Sequence, residues 1–171
     1  MNYYRSISFT LIALVLLCCQ PDEFPALGAR EPIVPKLAGT WTLSKVVQRD
    51  NDAERKGFPS FAQLQDITND FAFKDFKLVL SVSGNAPATF TVQAGNSPNI
   101  IGSGISSGNW SVDDVNYPSK ITFSGSSGTS IELGSFAGLN NGEMIFKLIR
   151  TQPKAGVPEA VVTYQYSFTK E

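Results

Sequence analysis

From Phe76 onward, apolar and polar positions alternate along the chain. Phe76, Leu78, Leu80 and Val82 fall on one side of an extended backbone, with Lys77, Val79 and Ser81 on the other. That period of two predicts a strand with one buried face. It returns at Phe90 and Val92, at Trp110 and Val112, at Ile121 and Phe123, and at Ile131 and Leu133. Met144, Phe146 and Leu148 make a further strand; Val162, Tyr164, Tyr166 and Phe168 make the last, and Trp41 with Leu43 opens the series. The result is eight predicted strands, most separated by short turns such as "SGNAP", "DDVNYPS", "SGSSGTS" and "GLNNGE". Links this short favour antiparallel neighbours, because a parallel pair needs a long crossover.

One interval breaks the period. Between Gly57 and Phe76, Phe61, Leu64 and Ile67 recur at helical spacing, and Ser60 followed by Gln63 matches a capping box. A single short helix is predicted after the first strand, packing its apolar stripe across one end of the sheet as a seal or as a lid.

A different apolar pattern occupies the start. Arg5 precedes the run Ile7 to Leu17, closed by Cys18 and Cys19, the only cysteines among 171 residues. The run is short for a membrane-spanning helix, which needs about 20 apolar residues, and suits the apolar region of a secretion signal. "LLCCQPDE" resembles the bacterial lipoprotein signal, in which an aliphatic residue stands three positions before the acylated Cys. That register makes Cys19 the lipidation site, with Cys18 in the small-residue slot; acylating Cys18 instead would place bulky Leu17 at the cleavage point. Acyl chains would anchor the protein to a bilayer. Residues 1–18 are thus expected to be a signal peptide, and residues 19–36, with Pro21, Pro25, Pro32 and Pro35, an extended tether. Residues 37–171 remain as one domain of ordinary size. Asp22 and Glu23 resemble the surface-export signal of lipoproteins in the Bacteroidota, which implies the outer membrane, with either face open.

Charge adds little. Removing residues 1–18 removes Arg5 and no acid, taking the net charge from -1 to -2, and so near a balance gives no reason to expect nucleic acid as a partner. Catalytic chemistry is sparse. Histidine is absent, which excludes His-based triads and ordinary catalytic zinc ligation, and with neither Cys in the domain there is no thiol nucleophile there. Asp50, Asp52 and Glu54 alternate as early calcium-loop ligands do, but the Gly and Glu that complete such a loop are missing, so a solvated loop is expected. Asp113 and Asp114 read as turn residues, and "GSGISSG" as a flexible hairpin loop without the Lys-Ser/Thr of a phosphate loop. No metal site, cofactor or enzymatic activity is expected.

Leu37-Ala38-Gly39-Thr40-Trp41, followed by seven further strands and the aromatic ending "YQYSFTK", resembles the lipocalin-like superfamily and in particular the lipocalin-like lipoproteins of the Bacteroidota. The resemblance implies an all-β, eight-stranded antiparallel up-and-down barrel, with a sandwich or half-open barrel as the alternative. It also implies a basic residue over Trp41, for which Lys170 and Arg150 both qualify. Closure has its own physical argument, since joining first strand to last removes the exposed edges. The presumed inward residues Trp41, Phe76, Phe90, Trp110, Phe123, Phe146, Tyr164, Tyr166 and Phe168 could line a pocket for a small apolar ligand or fill the interior. A filled barrel would instead suit an interaction module that contacts an envelope protein or a glycan.

Overall fold

The period-two segments become strands, and their order along the chain becomes their order in the sheet. The computed structural model describes residues 31–125 and 130–171. The expected signal peptide, Cys19 and the tether as far as Arg30 lie outside the described residues, as does the middle of the "SGSSGTS" turn. Nine strands run β1 Gly39–Asp50, β2 Leu64–Asp66, β3 Lys77–Ser83, β4 Ala86–Gln93, β5 Ser107–Val112, β6 Lys120–Phe123, β7 Ser130–Leu133, β8 Glu143–Lys154 and β9 Val157–Lys170. From β3 to β9 each pairs antiparallel with the next, and β9 returns to β1 from Trp41↔Lys170 to Asp50↔Val162. With the pairing of β1 to β3, eight strands close into a ring, as expected. The addition is β2, which pairs with the far half of β1, Val47 to Arg49, beyond the point at which β3 begins opposite Thr42.

Inside the ring the side chains are large. Phe90, Phe123, Phe146, Phe168 and Phe76 form a continuous aromatic belt, with successive ring centroids 4.8, 6.4, 5.1 and 6.2 Å apart. Edge-on and tilted contacts of this kind suit the aromatic quadrupole. A β-bulge between Leu43 and Lys45 moves the inward phase of β1 by one residue, so that Trp41, Leu43 and Val46 are all buried.

One pole of the ring is plugged. The one-turn helix α1, Val34–Leu37, buries Val34 and Leu37 completely. Val34, Pro35 and Lys36, within the stretch expected to be a tether, are thus part of the compact unit Glu31–Glu171. Proline does not prevent this, because Pro35 sits in the first turn, where its missing N–H is not needed, and Val34 and Leu37 are three apart on one face. This unit holds a single hydrophobic core and all the strand pairings among the described residues, so it folds on its own.

The predicted helix is replaced by shorter pieces. After α2, Asn51–Arg55, which precedes the interval from Gly57 to Phe76, they are α3, Ser60–Gln63, then β2 and a 3-10 turn at Phe73–Asp75. The expected capping box does not form: Pro59 occupies the cap position, and Ser60 is the first residue of the helix. Nor is there a common stripe, since Phe61 is 83% exposed and Leu64 44%, whereas Ile67 is buried at 7%. From Leu64 the backbone extends instead and takes ladder hydrogen bonds from β1. No helix among the described residues is long and apolar enough to cross a membrane.

Candidate functional site at the mouth of the ring

Opposite the plug the ring opens into a cavity of about 590 Å³. Its level follows from the strand register. Along β8 the inward series is Met144, Phe146, Leu148 and Arg150, and along β9, read in the same direction, it is Phe168, Tyr166 and Tyr164. Met144 and Phe146 lie in the core below; Leu148 and Arg150, with Tyr164 and Tyr166, line the cavity. Gln48 of β1 joins them, paired across the ladder with Tyr164.

Two segments outside the ring strands complete the walls. The first is the strap after β2, which contributes Ile67, Asp70, Phe71 and Phe73. It is pinned to β1: Ile67 N–H donates to Val46 O at 3.0 Å, and Val46 N–H donates to Thr68 Oγ1 at 3.0 Å. Asp66 Oδ1 accepts from both the backbone N–H and the hydroxyl of Thr68, and these bonds hold its carboxyl below the ordinary value. Phe73 then meets Tyr166 edge-on at 6.5 Å. The second segment is the β4–β5 loop, in which Ile101 is 2% exposed. Asn99 organises this loop, donating from Nδ2 to Ile105 O at 2.6 Å and accepting from Ile101 N–H at 3.1 Å. Of "GSGISSG", expected to be a flexible hairpin loop, Gly102 and Ser103 stand in the cavity wall.

Of the inward aromatics, Tyr164 and Tyr166 line the cavity. Trp41, Phe76, Phe90, Trp110, Phe123, Phe146 and Phe168 are buried in the core beneath it. Trp110 donates from Nε1 to Ser81 O at 2.8 Å, reaching past β4 to the register shift of β3. At the plugged pole, Trp41 Nε1 donates to Leu37 O at 2.8 Å, and Lys170 Nζ lies 5.3 Å from the ring centroid. Lys170, not Arg150, is thus the basic cover of Trp41, and Arg150 stands at the other end of the ring. Gly39 beneath has φ +134, a backbone conformation that requires glycine, and a Cβ there would also push aside the end of Lys170, whose Cε would be 2.5 Å away.

Electrostatics separate the mouth from the rest of the surface. Tyr166 is pushed up to about 12, first by burial and then by neighbouring Tyr164, against the opposing field of Arg150. Its phenol stays protonated and can donate a hydrogen bond at any ordinary pH. The acids considered for a calcium loop are committed elsewhere, on α2 and not in a loop. Asp50 caps the helix by accepting from the Asp52 and Ala53 amides, Asp52 pairs with Lys56 and Arg55, and Glu54 pairs with Arg49. Asp113 and Asp114 accept backbone N–H bonds inside the β5–β6 turn. A second concavity of about 370 Å³ lies on the outer face and includes the paired Arg49 and Glu54.

Sequence reasoning missed the strap and loop residues Phe71, Phe73, Ile100 and Ile101, and Gln48 and Arg150 as mouth residues. The one signal on offer was the Ile100-Ile101 doublet inside a Gly- and Ser-rich stretch. Comparison of the chain with protein-family models, with curated proteins and with solved structures finds no match.

Proposed function

We propose that the protein is a lipocalin-like binding module, held at the outer membrane through acylated Cys19, that takes a small, largely apolar molecule into the mouth of its barrel without transforming it. The observation that carries this reading is the open cavity of about 590 Å³. Its size falls within the ~300–1,000 Å³ of small-molecule sites, and its wall combines apolar side chains with a few convergent polar groups, as such sites do. The Gly39 and Trp41 pair with Lys170 over the indole supports the lipocalin likeness.

The test is native mass spectrometry of the Glu31–Glu171 unit after incubation with an envelope lipid and metabolite extract. A stoichiometric adduct of defined mass is expected, and an unliganded species throughout overturns the reading. For the anchor, Cys19→Ser is expected to abolish fatty-acid labelling of the full chain, whereas persistent labelling discards Cys19 as the site.

A second reading has its own observation. Phe58, Phe61 and Phe71 are 50%, 83% and 56% exposed within one short interval, which favours an interaction module whose partner is an envelope protein or a glycan. A photo-crosslinker placed at position 61 of the full chain in cells gives a discrete product under this reading and none under the first.

A further inference from the structure

We infer that the molecule taken into the mouth is an amphipathic anion, an apolar body bearing a carboxylate, with Arg150 as its counter-ion. The inference rests on the binding-module reading and adds the headgroup. It starts from what the described arginines do. Arg49 pairs with Glu54 at 2.7 Å and Arg55 with Glu159 at 2.9 Å. Arg150 has no carboxylate within 4.0 Å among the described residues, although it stands in the cavity wall.

The nearest acid by register is also unavailable. Asp50 and Arg150 both flank Val162 across their ladders, yet the Asp50 carboxylate accepts from the Asp52 and Ala53 amides, both at 2.9 Å. Two further donors line the same cavity. Tyr164 and Tyr166 stack at 6.3 Å, and neither hydroxyl has a hydrogen-bond partner among the described residues. The field of Arg150 reaches the Tyr166 phenol, whose ionised form it favours. A planar, permanently charged fork that shares one cavity with two phenolic donors suits a carboxylate's two oxygens.

The same wall carries apolar side chains from Ile67, Phe73, Ile101 and Leu148. Exposed Arg150 at the upper end of the ladder, with apolar side chains deeper in the cavity, fits a molecule that enters tail first. Asp70 is the one carboxylate in the wall, and it lies on the strap with exposed Phe71, apart from the strands that carry the donors. A cationic amphiphile would use Asp70 and therefore serves as the opposing probe.

The experiment is calorimetric titration of the Glu31–Glu171 unit with dodecanoate, dodecanol and dodecyltrimethylammonium, each below its micellar concentration. The pair 1-naphthaleneacetate and 1-naphthaleneethanol tells a fused-ring body from a chain. In at least one family the acid is expected to bind about tenfold or more tighter than the alcohol, the effect of one charge-assisted hydrogen bond. Arg150→Gln is expected to bring acid and alcohol to within about threefold of each other, with melting temperature unchanged because Arg150 is exposed. Acid and alcohol binding equally, or the ammonium binding best, overturns the anion inference and leaves the binding module standing. Silence from every probe while the extract yields an adduct overturns the inference alone; silence from both overturns the two together.

Discussion

Trp41 is fully buried, donates its indole N–H to Leu37 O and carries Lys170 across its face. These roles differ in size. Trp41→Ala should cost about 3–5 kcal/mol, the range for deleting a buried large aromatic, whereas Lys170→Ala removes a partly hydrated cation–π contact of about 0.5–1 kcal/mol. Urea unfolding of the two variants checks the ranking, and a Trp41→Ala loss below 1 kcal/mol would contradict the plug. Asp113 offers a test by pH. Its carboxylate accepts from the Ser119 hydroxyl and amide and the Lys120 amide, and these bonds hold it well below the usual carboxylate range. A carboxyl depressed on folding contributes stability above its unfolded value of ~3.9, and that contribution fades as pH falls from there toward the folded value. Urea midpoints taken from pH 5 downward should therefore fall more steeply for the native chain than for Asp113→Asn. Parallel curves would remove Asp113 as the cause.

At the level of elements, the β8–β9 hairpin turns on Ala155 and Gly156, with φ values of 51 and 82. Two successive left-handed residues are what a two-residue hairpin of this twist demands, and alanine is a poor choice for the first. Ala155→Asn should raise stability by roughly 0.5–1 kcal/mol, and an unchanged or lowered urea midpoint would argue against that turn. The same hairpin shows what the sequence can and cannot say. Met144, Phe146 and Leu148 share one alternation and Tyr164, Tyr166 and Phe168 another, so their inward direction is readable. Their height along the ring depends on register with neighbouring strands, and height alone decides that Phe168 packs in the belt while Tyr164 meets the cavity. The interval from Gly57 to Phe76 was misread for a related reason. Spacing placed Phe61, Leu64 and Ile67 on one helical face, but the far half of β1, paired to β9 on one side and beyond the reach of β3 on the other, draws Leu64–Asp66 into a strand, and only Ile67 reaches the core. Long-range backbone pairing outweighed local propensity there.

Over the whole molecule, ring closure joins residues far apart in sequence, such as Trp41 and Lys170. A ring whose first and last strands complete each other's ladders should come apart as one unit. Thermal unfolding of the Glu31–Glu171 unit is therefore expected to give coincident transitions by far-ultraviolet circular dichroism and by fluorescence of Trp41 and Trp110. A separate, earlier fluorescence change would mean that the plugged pole melts alone.

Glu171 N–H donates to Thr40 O at 3.0 Å, and Lys36 Nζ reaches Asn140 Oδ1 at 2.9 Å beside the same pole. The described unit thus begins and ends at its closed end, while β1 climbs from Gly39 to the cavity over a rise of about 30 Å. A reporter or surface-capture handle fused after Glu171 would leave the mouth unobstructed. A circular permutant that links Glu171 to Glu31 and is cut at Ala155 would retain every residue of the cavity wall.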